Sequence, residues 1–179
     1  MAGDLHTHTT ASDGLLVPEE LVRLAVNKGL KVLGITDHDT VGGLAEALDA
    51  GYRQGMTIIP GVELSTEWDE RELHILGYHI DWQNEELLVF LEMMRRARQQ
   101  RNAKIIVRLK ELGYDISMSE VEKISSGGAI GRSHIASVLV QKGFTPSIEA
   151  AFNTLLKRGQ VAYIPRAKVT PDRAIKSIL

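Results

Sequence analysis

The segment that decides the fold reads Lys31-Val32-Leu33-Gly34-Ile35-Thr36-Asp37-His38-Asp39. Its first six residues are mostly apolar and do not alternate with polar ones, which is typical of a strand buried on both faces of a parallel sheet. Two carboxylates and an imidazole follow this strand. Because the carboxyl ends of parallel strands meet at one face, where binding sites form, we expect functional side chains at this end of the sheet.

A second cluster of candidate ligands lies near the start of the chain, at His6, His8 and Asp13. In an extended strand, side chains two residues apart point to the same side, so His6 and His8 can direct both imidazoles at one point. Asp13 can return to that point from the following loop. Imidazole and carboxylate ligands without sulfur suit a divalent transition metal, although a His-x-His pair alone is a weak indication.

Helix and strand signals alternate through residues 1–83, which predicts a parallel α/β architecture. The predicted strands cover residues 5–7, 31–36, 57–62 and 73–80. From about Asn84 to Phe152 the pattern is helical only, which indicates an all-helical insertion. Thr170-Pro171-Asp172 then begins a short helix, and the apolar residues Ile178-Leu179 after it lead us to expect that the chain is a fragment.

Each predicted strand brings at least one candidate ligand, in the order His6 and His8, His38, Glu63, and His74. Convergence of these side chains at one face would be hard to explain by chance, and it strengthens the metal hypothesis. Either Asp37 or Asp39 could also bind metal. We favour His38 as the ligand and Asp37 as its orienting partner, since short acidic residues after a strand often support a ligand.

Composition sets further limits on the class of protein. The 179 residues, 44% hydrophobic and 25% charged, suffice for a domain with a core. A net charge of −2 gives no general indication of a nucleic-acid or membrane partner, and the absence of cysteine excludes disulfides and zinc–thiolate sites. No apolar run is long enough to cross a bilayer and no secretory leader precedes His6, so we expect a cytoplasmic protein.

Four motifs together indicate a family. They are Asp4-Leu5-His6-Thr7-His8-Thr9-Thr10-Ala11-Ser12-Asp13-Gly14, Gly34-Ile35-Thr36-Asp37-His38-Asp39, Pro60-Gly61-Val62-Glu63 and His74-Ile75-Leu76-Gly77-Tyr78. In this combination they resemble the opening motifs of the polymerase-and-histidinol-phosphatase (PHP) superfamily. Their order and spacing are most similar to its stand-alone phosphoesterase branch, which includes bacterial enzymes that act on nucleoside 3′,5′-bisphosphates and on short RNA from the 5′ end. The resemblance extends over essentially the whole chain.

The resemblance implies a distorted (β/α)7 TIM-like barrel that holds up to three metal ions, commonly manganese, iron or zinc. The family's ligands correspond to His6, His8, Asp13, His38, Glu63 and His74, with Glu63 bridging two metals. Residues 1–83 would form the first part of the barrel, 84–158 the helical insertion, and 159–179 the return to the barrel. The family's later Ala-His-Pro and Asp-x-His motifs are absent from this sequence, so we expect a C-terminally incomplete barrel.

Substrate contacts are expected in the helical segment. Gly131-Arg132-Ser133-His134 resembles the family's Gly-Arg-x-His motif, and Arg132 with His134 would meet an anionic group near a helix N-terminus. Seven basic residues and no acid lie from Arg95 to Lys110. A solvated face is the commoner explanation of such a run, and a basic wall that attracts a polyanionic substrate is the other, with Arg101 and Lys104 as its candidates.

These observations predict a metal-dependent phosphoesterase that hydrolyses nucleotide phosphates or short oligonucleotide ends through a metal-activated hydroxide. His38, Glu63 and His134 are the expected catalytic residues. Two alternatives remain: a histidinol-phosphate-type phosphatase, and a catalytically inactive metal-binding or interaction module. The six retained ligands argue against the inactive module, whereas the missing later motifs favour inactivity of the fragment itself. We expect a phosphorylated nucleotide or short oligonucleotide as substrate, and neither a membrane partner nor a stable nucleic-acid partner.

Overall fold

A computed structural model of the protein describes residues 2–69, 71–125 and 129–179. The chain divides into two compact units. The first unit comprises Met1–Arg95 with Lys168–Leu179, and the second unit comprises Arg96–Ala167. The chain therefore leaves the first unit and returns to it after the second.

Strands and helices alternate at the start of the chain, and helices follow. The strands are β1 (Gly3–Thr7), β2 (Val32–Ile35), β3 (Thr57–Trp68) and β4 (Arg71–Tyr78). The helices are α1 (Pro18–Asn27), α2 (Leu44–Gln54), α3 (Glu85–Glu111), α4 (Met118–Ser125), α5 (Arg132–Gln141), α6 (Ile148–Ala151) and α7 (Pro171–Ile178). A π-helix, Phe152–Leu156, continues directly from α6. This arrangement confirms the α/β fold class.

The first unit is built on one sheet with the strand order β1-β2-β3-β4. β1 pairs with β2, and β2 with β3, in the predicted parallel orientation. Leu33 and Ile35 of β2 are fully buried, as are Val62 and Leu64 of β3. β2 therefore has no solvent-exposed polar face, which explains why polar and apolar residues do not alternate in its sequence.

Local sequence signals define the helices of the first unit. Pro18 occupies the first turn of α1 together with Glu19 and Glu20. The backbone N–H that proline lacks would have no partner within the helix at this position, and the acidic side chains lie near the positive end of the helix dipole. α2 ends at Gly55, whose φ of 66° is readily adopted only by glycine. Val22 of α1 is fully buried in the same core as the sheet. These helices thus bury the apolar side chains of β2 and β3.

The pairing of β3 with β4 differs from the predicted parallel arrangement. The two strands form an antiparallel hairpin in which Ser65 pairs with His74 and Trp68 with Arg71. Parallel neighbours need a crossover of a dozen or more residues, and the chain between the two predicted strands is too short to provide one. β3 therefore continues past Glu63, which lies inside the hairpin rather than at a strand end, and His74 lies within β4.

Helices form the described part of the second unit, as the sequence pattern predicts. Its core contains Ile105 and Leu109 of α3, Val121 of α4, and Ile135 and Leu139 of α5, all fully buried. The unit thus has a hydrophobic core of its own. Across the part of the chain that the structure describes, no helix combines the length and hydrophobicity that crossing a membrane requires.

Candidate metal centre

Side chains with metal-ligating chemistry converge at the sheet of the first unit. Three groups each bring three ligand atoms within 4.8 Å of one another, and they are His6–His8–Glu63, His8–Asp13–His38 and His38–Glu63–His74. The groups share His8, His38 and Glu63. Together they contain every ligand that the family resemblance implies, and neither of the aspartates that flank His38 belongs to any of them.

Glu63 lies at the centre of this cluster. Its side chain is 5% exposed, and Oε2 lies 2.9 Å from His6 Nε2, 3.1 Å from His8 Nε2 and 3.4 Å from His38 Nδ1. Its other oxygen, Oε1, lies 2.6 Å from His74 Nδ1. The histidine rings are also close to one another, with 4.6 Å between the centroids of His8 and His38. One buried carboxylate therefore faces four imidazoles.

The electrostatics of the cluster keep Glu63 ionised. Burial by itself would raise the pKa of the Glu63 carboxyl, but hydrogen bonds with His74, His8 and His6 outweigh it and hold that pKa well below its usual value. Burial also opposes protonation of His8, whereas the hydrogen bond to Glu63 and the nearby Asp13 give a net rise in the pKa of His8. The ionised carboxylate is the form that binds a metal.

Backbone hydrogen bonds fix His38 beside Glu63. The two residues form a parallel bridge. The Glu63 N–H donates to the Asp37 carbonyl at 3.1 Å, and the Asp39 N–H donates to the Glu63 carbonyl at 3.0 Å. Asp39, whose φ is 53°, also accepts a hydrogen bond from the Ser65 N–H at 2.7 Å. The chain after β2 is thereby tied to the middle of β3 on both sides of His38.

Asp37 holds the loop that follows β1. Its Oδ1 accepts from the Thr9 N–H at 2.8 Å and from the Ser12 hydroxyl at 2.5 Å, and its Oδ2 accepts from the Thr9 hydroxyl at 2.7 Å. The sequence predicts Asp37 as a partner of His38, whereas these bonds link it to the loop that contains Asp13. The sequence pattern does not single out Thr9 and Ser12, although short hydroxyl residues inside a loop with ligands are a usable signal.

The donor set fits divalent transition metals. Imidazole suits zinc and iron, carboxylate suits manganese, and all of these metals bind neutral imidazole and ionised carboxylate rather than their protonated forms. The cluster presents both kinds of donor, with Glu63 held in its ionised form. Because the three groups share residues, a metal in one group would lie next to a metal in another.

The predicted substrate contacts Arg101, Lys104, Arg132 and His134 lie in the second unit. Arg101 is buried, and its Nε donates to the Ile164 carbonyl at 2.8 Å, so part of this guanidinium supports the fold of the unit. Lys104 is exposed and lines a cavity of about 390 Å³ between α3 and Ile164. The basic run of α3 is therefore not a uniformly solvated face.

Arg132 and His134 belong to the first turn of α5. His134 Nδ1 accepts from the Gly131 N–H at 3.0 Å, which satisfies one of the unpaired donors at the start of the helix. Arg132 Nη1 donates to the Leu156 carbonyl at 3.3 Å, and its guanidinium lies over the Phe152 ring, 5.5 Å from the centroid. Leu156 and Phe152 both belong to the π-helix, which therefore helps to set the direction of this side chain.

Comparisons with known proteins agree with this chemistry. The family model described as PHP domain matches residues 4–164. The 5'-3' exoribonuclease Rnm of Escherichia coli (strain K12) is 40% identical over 177 residues, which cover 98% of this chain and 60% of that protein. The 3',5'-nucleoside bisphosphate phosphatase of Chromobacterium violaceum is 33% identical over 176 residues, which cover 96% of this chain and 61% of that protein.

The chain is also similar to a solved structure of a phosphoesterase. The chain matches a Bifidobacterium adolescentis protein described as a metal-dependent phosphoesterase, with a TM-score of 0.92 and 30% identity over 98% of this chain and 62% of that one. The chain spans about three fifths of the length of the curated relatives it matches. Because the family model matches most of the chain, including all the clustered ligands, the chain belongs to the PHP domain family.

Proposed function

We propose that this chain supplies the metal centre of a phosphoesterase that hydrolyses nucleotide phosphates or the ends of short oligonucleotides. The main support is the Glu63 cluster, in which one buried carboxylate lies 2.6–3.4 Å from four imidazoles. When bound there, divalent metals would lower the pKa of water and offset the charge that develops on a phosphoryl group. Relatives named as an exoribonuclease and a bisphosphate phosphatase support a nucleotide substrate.

The proposed cofactors are manganese, iron or zinc, with up to three ions. His8, His38 and Glu63 each belong to two ligand groups. The two oxygens of Glu63 can serve neighbouring ions, whereas each neutral imidazole has one lone pair and would bind one ion. Glu63 is suited to bridge two ions because its Oε1 faces His74 while its Oε2 faces His6 and His8. We assign His38 and Glu63 to catalysis in this sense: they hold and orient the centre at which the substrate reacts.

We also propose that the sheet is part of a distorted (β/α)7 barrel. Residues 1–83 would form its first part, 84–158 the helical insertion, and 159–179 the return to the barrel. The parallel order of β1, β2 and β3 supports this arrangement. In such barrels the site lies at the carboxyl ends of the strands; His8 directly follows β1, and His38 is the third residue after β2.

Arg132 and His134 are the proposed phosphate contacts, with Lys104 and Arg101 as further basic contributors. The planar guanidinium of Arg132 can make two parallel hydrogen bonds to a phosphate. Because His134 Nδ1 accepts from the Gly131 N–H, a contact of His134 with substrate would use Nε2. From that nitrogen, His134 could bind the phosphate or protonate the leaving group.

Arg132→Ala is expected to raise KM for a phosphorylated nucleotide by roughly 10- to 100-fold, since a hydrogen bond to a charged group contributes about 1.5–3 kcal/mol. Metal content, measured by elemental analysis of the full-length protein, should not change because Arg132 belongs to none of the ligand groups. Arg158→Ala removes another arginine from the surface of the second unit and serves as the control. Loss of metal with an unchanged KM would refute the assignment of Arg132.

The proposed reaction is tested by phosphate or nucleotide release from three substrates: a nucleoside 3′,5′-bisphosphate, a short 5′-phosphorylated RNA and histidinol phosphate. The full-length protein is expected to turn over at least one of the first two, to lose that activity with a chelator, and to regain it with manganese. Preferential hydrolysis of histidinol phosphate would favour the alternative phosphatase. Metal binding with no turnover of any of the three would identify an inactive module.

A further inference from the structure

We propose that Asp37 and Ser12 form a relay that positions His8, so that His8 presents Nε2, and not Nδ1, to the metal centre. The inference rests on the proposed function, because it concerns the same ligand cluster. It makes Ser12 and Asp37 positioning residues, which act on the metal through His8 and do not bind it themselves.

The Ser12 hydroxyl lies between a carboxylate and an imidazole. Ser12 Oγ is 2.5 Å from Asp37 Oδ1 and 3.4 Å from His8 Nδ1, and Ser12 is only 2% exposed. A serine hydroxyl has one proton to donate, and a carboxylate can only accept. The proton therefore goes to Asp37, and the contact of Ser12 with His8 is one in which Oγ accepts from the Nδ1–H.

This order of donors selects one tautomer of His8. With the proton on Nδ1, a neutral imidazole has its lone pair on Nε2. His8 Nε2 lies 3.1 Å from Glu63 Oε2, and so faces the centre of the cluster. Metal-binding histidines commonly donate their other ring N–H to a carboxylate, carbonyl or water. Here a buried serine, polarised by Asp37, takes the place of that acceptor.

The loop around Ser12 is held at several points, so its hydroxyl is kept beside His8. Asp37 is buried and also accepts two hydrogen bonds from Thr9, through the backbone N–H and the hydroxyl. The Thr9 carbonyl in turn accepts from the Ser12 N–H at 3.1 Å and from the Gly14 N–H at 2.9 Å. Both the side chain and the backbone of Ser12 are therefore tied to the Asp37–Thr9 pair.

NMR of the isotope-labelled, full-length protein loaded with diamagnetic zinc tests this relay. In long-range proton–nitrogen spectra, with His8 assigned by comparison with His8→Gln, we expect the proton on Nδ1 and zinc on Nε2. Ser12→Ala is expected to weaken zinc binding by about 10- to 100-fold in competition with a chelator and to speed solvent exchange of the Nδ1 proton. Asp37→Asn should act in the same direction but less, because its amide oxygen can still accept from Ser12.

Thr36→Val is the matched control, since it removes another buried hydroxyl from the same edge of the sheet. The Thr36 hydroxyl donates to the Thr7 carbonyl at 3.2 Å. We expect this variant to keep the zinc affinity and the His8 spectrum of the wild type. Zinc bound to Nδ1 of His8, or wild-type zinc affinity and proton exchange in Ser12→Ala, would overturn the relay alone. A wild-type protein that binds neither zinc, manganese nor iron would overturn the metal centre, and the proposed function with it.

Discussion

Glu63→Gln is expected to abolish metal binding at the cluster and, with it, the proposed hydrolysis. Glutamine keeps the size of the side chain but replaces the anionic carboxylate that faces four imidazoles with a neutral amide. Partners that only support a ligand contribute about 10- to 100-fold to metal affinity, so a larger loss is expected for a ligand that belongs to two groups.

Thermal unfolding with manganese and with a chelator measures this loss. At about 100 times its dissociation constant, a bound metal stabilises the wild-type fold by about 2.7 kcal/mol. That gain corresponds to a rise in Tm of roughly 5–11 °C for a chain of this size. Glu63→Gln should show no difference between the two conditions, while Glu67→Gln, on the same side of β3, should respond as the wild type does. A full metal-induced rise in Glu63→Gln would exclude Glu63 as a ligand.

The clustering of His6 and His8 follows from local geometry and could therefore be predicted from sequence. Side chains two residues apart on an extended strand share a side, whatever the rest of the fold does. The structure places His6 Nε2 and His8 Nε2 at 2.9 Å and 3.1 Å from the same oxygen of Glu63. His38 is predictable for a similar reason, because the apolar run before it identifies β2 and its carboxyl end.

The positions of Glu63 and His74 depend on strand register, which no local pattern encodes. The prediction that Glu63 ends a strand is wrong, since β3 continues to Trp68. Glu63 pairs with Leu76 and Ser65 with His74, and this antiparallel register brings His74 Nδ1 to Glu63 Oε1. The sequence thus predicts the side chains that cluster in the structure, while the contact between Glu63 and His74 arises from a hairpin rather than from parallel strand ends.

Hydrogen bonds between residues far apart in the chain also cannot be predicted from a sequence pattern. Asp37 accepts hydrogen bonds from Thr9, which lies 28 residues earlier in the chain, and from Ser12, which lies 25 residues earlier. A carboxylate next to His38 in sequence suggests a local partner, whereas Thr9 and Ser12, which donate to Asp37 from the loop after β1, are distant in the chain. Arg101 is similar: helical periodicity placed it on a basic face, whereas the Ile164 carbonyl, 63 residues away, accepts from its guanidinium.

Gly14→Ala is expected to damage the loop after β1 although it replaces none of the candidate ligands. A Cβ on residue 14 would lie 2.2 Å from the His8 carbonyl oxygen and 2.7 Å from the Thr9 nitrogen. Both are backbone atoms, so no side-chain rotation can relieve the clash and the loop must open. We expect a loss of about 1–3 kcal/mol in unfolding free energy. Opening would also move Asp13, whose Oδ1 lies 3.7 Å from His8 Nδ1.

Gly42→Ala is the control that distinguishes the clash of residue 14 with the backbone of His8 and Thr9 from a general effect of replacing glycine. A Cβ on residue 42 would find Thr40 Oγ1 at 3.3 Å and the Ala11 Cβ at 3.9 Å, distances that a small side-chain shift accommodates. Denaturant unfolding and metal titration should show losses for Gly14→Ala and almost none for Gly42→Ala. Excess metal should restore part of the stability of Gly14→Ala, because binding favours the closed loop by mass action. Wild-type stability and metal affinity in Gly14→Ala would mean that the loop adapts, and that the Asp13 ligand does not depend on the contact between Gly14 and His8.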